Sequence, residues 1–406
     1  MSVAESHAPD SESVIADPRI AICLSGGGFR AALFHLGALR RLNELGVLSK
    51  VGSIASVSGG SILAGHLATA LRPWPAAGTA VAADRWSQEI EQPFHQFVKH
   101  DIRTWPILKR ILFPWNWCRP STQVLALQAR YARKLTALKL QDLPDHPWFI
   151  FCGTDVTFGV LWVFEKNRVG SYQAGYVTPS PNWPVAQAIA ASSCFPPIFA
   201  PMPITLSVNE TMQDGLKQPR PKVAGEGVSD GGLYDNLGLQ PVTKYGTVLV
   251  SDGGAPFVAA TPSDLFGRLN AYLEIVGKQG GSLRKRQLMA DYRNKKRAGT
   301  YWGISSAPSS YQTRSSYQTP AQGYSKQLAE TVISRVRTDM DAFSDAEIAV
   351  LENHGYLLAD IAIEVHAPQL KTISAPKQVP HPEYLDEAKV RSALKHSHER
   401  RWFGRK

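Results

Sequence analysis

Short apolar runs alternate with helically spaced apolar positions along the first part of the chain. Residues 19–24 (RIAICL) and 51–55 (VGSIA) have the pattern of buried strands. A glycine-rich turn follows the first run, a serine-containing turn follows the second, and each turn opens a helical pattern. After the first turn, Leu33, Leu36, Gly37, Leu39 and Leu42 recur at helical spacing, and Gly46 supplies the stop. Strand, turn and helix repeated in this way predict a parallel sheet covered by helices.

The pattern changes at residues 72–145. Helical stretches there carry Trp86, Trp105, Trp115 and Trp117 beside Lys99, Arg103, Lys109, Arg110 and Arg119, and Pro106, Pro114 and Pro120 interrupt them. This predicts a helical insertion or cap. Further on, Trp148–Asp155 reads as a strand, 159–166 as its hairpin neighbour, 185–191 as a short helix and 247–251 as another strand. Residues 211–227 are a polar loop, and 265–297 are helical with a strongly basic end. Within 305–323 the pentapeptide Ser-Ser-Tyr-Gln-Thr occurs twice, which predicts a mobile surface loop spanning about residues 304–325. The stretch 339–359 reads as a helix, with Ser344 as N-cap and Glu347 closing a capping box.

At 406 residues the chain is long enough for one large α/β domain with insertions, or for two domains. The expected division is a polar, disordered tail at 1–17, a main body at 18–370 and a basic C-terminal tail at 371–406. The N-terminal residues lack the basic and apolar blocks of a secretory signal, and no apolar stretch reaches the roughly 18 residues of a membrane span. The expected location is therefore cytoplasmic, with any membrane contact peripheral. A formal charge of +10 points to an anionic partner, either a membrane surface or nucleic acid, and no nucleic-acid-binding motif accompanies it. Cys23, Cys118, Cys152 and Cys194 show no metal-ligand spacing; Cys23 and Cys152 lie in apolar runs and read as buried, reduced thiols.

Chemistry concentrates in the two turns. Gly26-Gly27-Gly28-Phe29-Arg30 places backbone N–H groups at a helix N-terminus, an anion site. It completes neither the nucleotide-binding P-loop nor Gly-x-Gly-x-x-Gly, since Ala31 stands at the last position. Ser56-Val57-Ser58-Gly59-Gly60 places Ser58 on a sharp strand-to-helix turn, as a nucleophile, a helix N-cap or a turn serine. A serine nucleophile needs a base. His35, His66, His354 and His366 sit in or beside regular elements, where a structural role is commoner. Asp230, at a strand end before Gly231 and Gly232, can approach another turn closely, or can be an ordinary turn aspartate.

Taken in order, these blocks resemble the patatin-like phospholipases, which share a catalytic fold with cytosolic phospholipase A. The family's glycine loop is similar to Gly26–Arg30, its serine elbow to Ser56–Gly60, and its later Asp-Gly-Gly to Asp230-Gly231-Gly232. Ser192-Ser193-Cys194-Phe195-Pro196-Pro197 and Asn236-Leu237-Gly238 resemble smaller family segments, so that the likeness covers about residues 20–254. It departs at Ser56, where the elbow has glycine, and at Ala31, where a glycine follows the arginine. The resemblance implies a three-layer α/β/α fold with a mostly parallel central sheet, residues 18–370 forming the catalytic domain. It implies a lipid acyl hydrolase of phospholipase A or lysophospholipase type with a Ser58–Asp230 dyad. Gly26, Gly27 and Gly28 would form the oxyanion hole, supported by Arg30, Gly60, Gly231 and Gly232, with no metal or cofactor. Arg30 would orient the loop or face an anionic headgroup. A second Asp-Gly-Gly, at Asp252, is less favoured because the Asn236 segment follows Asp230 as in the family. The same nucleophile would also suit an acyltransferase or thioesterase, and a weakened enzyme would act as a lipid-binding regulator. A Ser-His-Asp triad of the α/β-hydrolase type would need His354 or His366, and the order of the blocks disfavours it.

A lipid substrate and an anionic membrane surface are the expected partners, with no nucleic acid. Residues 101–120 mix Trp, Ile and Leu with cations and suit either an interface or a cap packed on the core. Further basic surfaces are Arg284, Lys285, Arg286, Arg293, Lys295, Lys296 and Arg297, and the tail at Arg400, Arg401, Arg405 and Lys406.

Overall fold

Alternation along the first strand sets the layering. The structure, a computed structural model, describes residues 17–116, 119, 121–196, 198–205, 227–254, 265–312 and 322–399. In β1 (Asp17–Leu24), Ile20, Ile22 and Leu24 join the larger core while Ala21 and Cys23 join a smaller one on the opposite face. A strand buried on both faces reads as a continuous apolar run. The larger core is closed by α1 (Gly28–Glu44), α2 (Gly59–Ala70), α5 (Val185–Ser193) and α7 (Asp345–His366). The long helix α6 (Leu265–Arg293) contributes Leu288, Met289 and Tyr292 to the smaller core. The result is a three-layer α/β/α fold.

Among the described residues the sheet has ten strands. In chain order after β1 they are β2 (Val51–Val57), β3 (Trp148–Asp155), β4 (Val160–Phe164), β5 (Val169–Ser171), β6 (Gly175–Val177), β7 (Met202–Pro203), β8 (Gly227–Asp230), β9 (Tyr245–Asp252) and β10 (Ala298–Gly303). The order is β10-β9-β1-β2-β3-β4-β5-β6, with β10 through β3 parallel and β4 to β6 antiparallel. β8 pairs with both β3 and β7.

Residues 72–145 contain short helices, among them α3 (Thr104–Leu112) and α4 (Thr122–Lys134). They are tied to the body where Ile102 N–H donates to the Met340 carbonyl and the Tyr131 hydroxyl meets Ser193 Oγ at 3.1 Å. Among the described residues, no helix is long and apolar enough to cross a membrane.

Several elements differ from the sequence reading. Asp17, assigned to the disordered tail, opens β1. The helix expected from 339 starts at Asp345, because the preceding carbonyls bond elsewhere: Asp339 O accepts from Phe29 N–H and Met340 O from Ile102 N–H. The Ser344–Glu347 capping box is present at that start. β10 was missed because its residues form no apolar run; Gly299, at φ 120°, packs so closely on β9 that a Cβ would lie 1.9 Å from the Val248 carbonyl oxygen. Residues 371–399 lie against the body, burying Val390 and Leu394. Cys23, Cys152 and Cys194 are buried free thiols. The rest of the 1–17 tail, most of the 211–227 loop, the centre of the 305–323 repeat, Trp117, Cys118 and the basic residues from 400 onward lie outside the described residues.

α1 and α7 touch backbone to backbone. A Cβ on Gly355 would lie 1.8 Å from the Phe34 carbonyl oxygen, and one on Gly37 would lie 2.0 Å from that of Glu352. Gly355→Ala is expected to force the helices apart and cost about 1–3 kcal/mol in urea denaturation. Gly281→Ala, on α6 with nothing within 4 Å of the new methyl, should be neutral or stabilising.

Candidate active site

Two strand ends meet head to head. β2 runs parallel to β3 and pairs Val57 with Cys152, while β8 runs antiparallel to β3 and pairs Asp230 with Gly153. Over Gly153–Asp155, β4 occupies the other edge of β3, so β8 continues the line of β2. The chain leaving β2 at Ser58 and the chain leaving β8 after Asp230 therefore turn off at the same point. Residues 172 apart in sequence are brought together by register on one shared strand.

Ser58 has φ 49° and ψ −113°, a strained conformation for a residue with a side chain. Strain of this kind costs about 1–3 kcal/mol and persists only where the surroundings enforce it. Close packing enforces it here: a Cβ on Gly59 would lie 2.1 Å from the Gly28 carbonyl oxygen, and one on Gly60 would lie 2.3 Å from that of Leu24. The Ser58 N–H donates to Ser192 Oγ at 2.9 Å. Its side chain is half-buried, within reach of an incoming molecule.

Asp230 is 2% exposed. Its Oδ1 accepts from Gly232 N–H at 2.7 Å, while Oδ2 is buried with no hydrogen bond of regular geometry among the described residues. Burial pushes its pKa up to about 7, against smaller lowering effects from the Gly232 N–H and the Ser58 hydroxyl. The Ser58 hydroxyl thus favours the charged carboxyl. Catalytic hydrogen bonds are often loose before substrate arrives. Gly231 is needed because a Cβ there would lie 2.3 Å from the Cys152 carbonyl oxygen.

The glycine loop packs on the elbow at the start of α1, so the N-termini of α1 and α2 converge beside Ser58. Helix N-termini carry unpaired N–H groups and positive potential. One expectation needs correction. The Gly26 N–H donates to the Asn236 carbonyl at 3.1 Å and is already committed. Gly27 is the N-cap and Gly28 the first residue of α1, where N–H groups have no partner within the helix.

Arg30 is buried and donates to four backbone acceptor contacts: Gly253 O at 3.2 and 2.9 Å, Ser334 O at 3.2 Å and Val336 O at 2.8 Å. Burial lowers its pKa to about 10. It fastens the loop to two remote segments and does not face a headgroup. Ala31, the second departure from the family pattern, packs directly on Gly253.

Ser56, the first departure, lies inside β2, fully buried, and its hydroxyl donates to the Ile150 carbonyl at 3.1 Å. The Ser61 hydroxyl reaches Ser56 Oγ at 3.1 Å and Ser192 Oγ at 2.8 Å, and Ser192 donates to the Cys152 carbonyl at 2.6 Å. This hydroxyl chain supports the elbow from below. Ser192 was noted in the sequence only as part of a small-residue segment, and Ser61 gave no signal of its role.

The competing candidates are otherwise engaged. Asp252 accepts from Gly254 N–H and from the Tyr301 hydroxyl at 2.6 Å, and the same hydroxyl is held by Lys285 Nζ. His35 bonds Ser251 and Ser25, His66 bonds the Ile90 carbonyl and His354 the Ile304 carbonyl. Burial pushes all three imidazoles down to about 4. The His366 ring packs beside Tyr311.

The sequence profile of the patatin-like phospholipases matches residues 22–243. No curated protein sequence matches the chain. Among solved structures, human GIVD cytosolic phospholipase A2 aligns with TM-score 0.46 at 13% identity, over 93% of this chain and 60% of that one. Its complex with methyl gamma-linolenyl fluorophosphonate aligns with TM-score 0.45 at 14% identity, over 94% and 60%. VipD from Legionella pneumophila aligns with TM-score 0.35 at 12% identity, over 94% and 75%. The chain thus spans about three fifths of the first two structures' length. With more than half its residues matched by the family profile, the chain belongs to the patatin-like phospholipase family.

Proposed function

We propose that the protein is a lipid acyl hydrolase that cleaves carboxylic esters with a Ser58–Asp230 dyad. The observation that carries this reading is the meeting of β2 and β8 on β3, which sets a strained, half-buried serine beside a buried carboxyl with one unpartnered oxygen. Asp230 takes the Ser58 proton as the serine oxygen bonds to the ester carbonyl carbon. The carbonyl electrons move to oxygen, and the N–H groups of Gly27 and Gly28, with that of Gly59 at the start of α2, hold the oxyanion. Collapse restores the carbonyl, breaks the ester bond and returns the proton from Asp230 to the leaving alcohol. Water then repeats the sequence on the acyl-serine and releases the fatty acid. A carboxyl with a pKa of about 7 is matched to accepting and returning a proton near neutrality.

The insertion supports lipid contact. Trp105, Leu112 and Trp115 are exposed at 46%, 59% and 67%, and Lys109 is exposed beside them. Trp and Lys at one surface suit the headgroup level of a bilayer. Part of the basic set on α6 is committed instead: Lys285 to Tyr301, and Arg284 to the Tyr234 carbonyl.

A fluorophosphonate probe should label the wild type and leave Ser58→Ala unlabelled; labelling that survives in this variant overturns the assignment. Fatty-acid release from phospholipid vesicles should fall by about 10²–10⁴ in Asp230→Asn. For the wild type, kcat/KM should rise with pH around a midpoint near 7, as Asp230 loses its proton. The same shift has a stability consequence. Folding raises this pKa from 3.8 to about 7, so the native state binds the extra proton and wild-type stability falls as pH rises through that window. Asp230→Asn should gain on the wild type over the same window, by on the order of 4 kcal/mol above it. The double variant Trp105→Ala, Trp115→Ala should lose activity on vesicles and keep it on a soluble short-chain ester.

A further inference from the structure

Away from Ser58, three ligating side chains converge where the insertion, α7 and the C-terminal segment meet. His95 Nε2 lies 2.5 Å from Glu352 Oε1, and His381 Nε2 lies 2.8 Å from Glu352 Oε2. The three donor atoms all fall within 4.8 Å of one another. We propose that His95, Glu352 and His381 form a binding site for a divalent transition-metal ion of the zinc type.

The donor set fits that ion. Two imidazole nitrogens and one carboxylate oxygen are a known zinc set, and imidazole selects against magnesium and calcium, which favour oxygen. A tetrahedral zinc with bonds of about 2.0–2.1 Å holds its donors about 3.3 Å apart, which these atoms reach by small side-chain rotations. Glu352 is 1% exposed while the side chains of His95 and His381 are 18% and 24% exposed. The ion would sit over a buried carboxylate, with its remaining position open to water on the imidazole side.

The surroundings hold the donors in place. Asn353, fully buried next to Glu352, accepts from the His381 N–H at 2.9 Å and donates to the His381 carbonyl at 2.7 Å. The peptide groups are therefore clamped independently of the ring. His381 Nδ1 lies 3.8 Å from Glu383 Oε1, outside hydrogen-bond distance but near enough for the carboxylate to swing onto the ring N–H. Without the ion, each Nε2 must carry a proton to meet the carboxylate. With it, both Nε2 atoms give their lone pairs to the metal and the Nδ1 atoms carry the ring protons, that of His381 turned toward Glu383. Any extra proton on a charged imidazole goes to solvent. Glu91, buried nearby, is neutralised by its pairing with Arg40 at 2.8 Å and does not compete for the ion. The ion would tie together segments 257 and 29 residues apart, giving it a structural role.

The test uses the full chain, stripped with EDTA and then dialysed against Zn²⁺ or Co²⁺. The expected result is one ion retained per chain, a higher melting temperature than in EDTA, and visible absorption of four-coordinate cobalt. His95→Ala and His381→Ala should each abolish all three. His381→Ala also loses the hydrogen bond to buried Glu352 and should melt somewhat below the wild type in EDTA. Because the Asn353 clamp holds the backbone, it should still unfold in one cooperative step whose midpoint Zn²⁺ does not move, which separates lost ligation from misfolding. Labelling of Ser58 by fluorophosphonate should be the same in every variant, so the outcome is independent of the hydrolase reading. Failure of the wild type to retain an ion, or equal retention by both histidine variants, overturns the proposal.

Discussion

The shared edge of β3 is the constraint on which the rest of the site depends. Two strands of opposite direction hydrogen-bond to consecutive positions of the same partner, and neither can extend without colliding with the other. Both chains must leave the sheet at once. One leaves through a strained serine into α2, and the other through an aspartate into two glycines. Proximity of Ser58 and Asp230 is therefore a property of sheet register. Side-chain packing then has only to adjust rotamers, the task of the Ser56, Ser61 and Ser192 hydroxyls.

Much of this was legible because tight turns restrict residue type. Where backbones approach as closely as Gly59 to Gly28, or Gly231 to Cys152, only glycine fits, and the constraint is printed directly in the sequence. The parallel core strands were equally legible, since burial on both faces leaves continuous apolar runs. Other features were silent because they depend on partners distant in the chain. β10 is a strand because β9 lies beside it, and nothing in its own residues demands extension. Ser56 looked like a misfit glycine, yet its surroundings turn it into a hydrogen-bonded strand residue. Gly26 belonged to the right motif, but its N–H is claimed by Asn236, which only the folded chain brings near. The His95, Glu352 and His381 cluster has no sequence spacing to find.

The site also illustrates a conflict between stability and chemistry. A charged, buried aspartate with an unpartnered oxygen opposes folding, and a serine at φ 49° adds backbone strain. The large core and the glycine-mediated contact of α1 with α7 must outweigh both. That contact bears on the site, because α1 begins at Gly28 in the glycine loop.

Arg30 shows where the functional unit ends. The profile match closes at residue 243 and contains every residue of the three motifs, but the carbonyls that Arg30 holds belong to Gly253, Ser334 and Val336. The wall behind Gly28 is the Asp339 backbone, later still. A ribosome that has made all the motif residues has not yet made the anchor for the glycine loop. The glycine loop therefore gains its final support only when residues 253–339 have been made and folded against it.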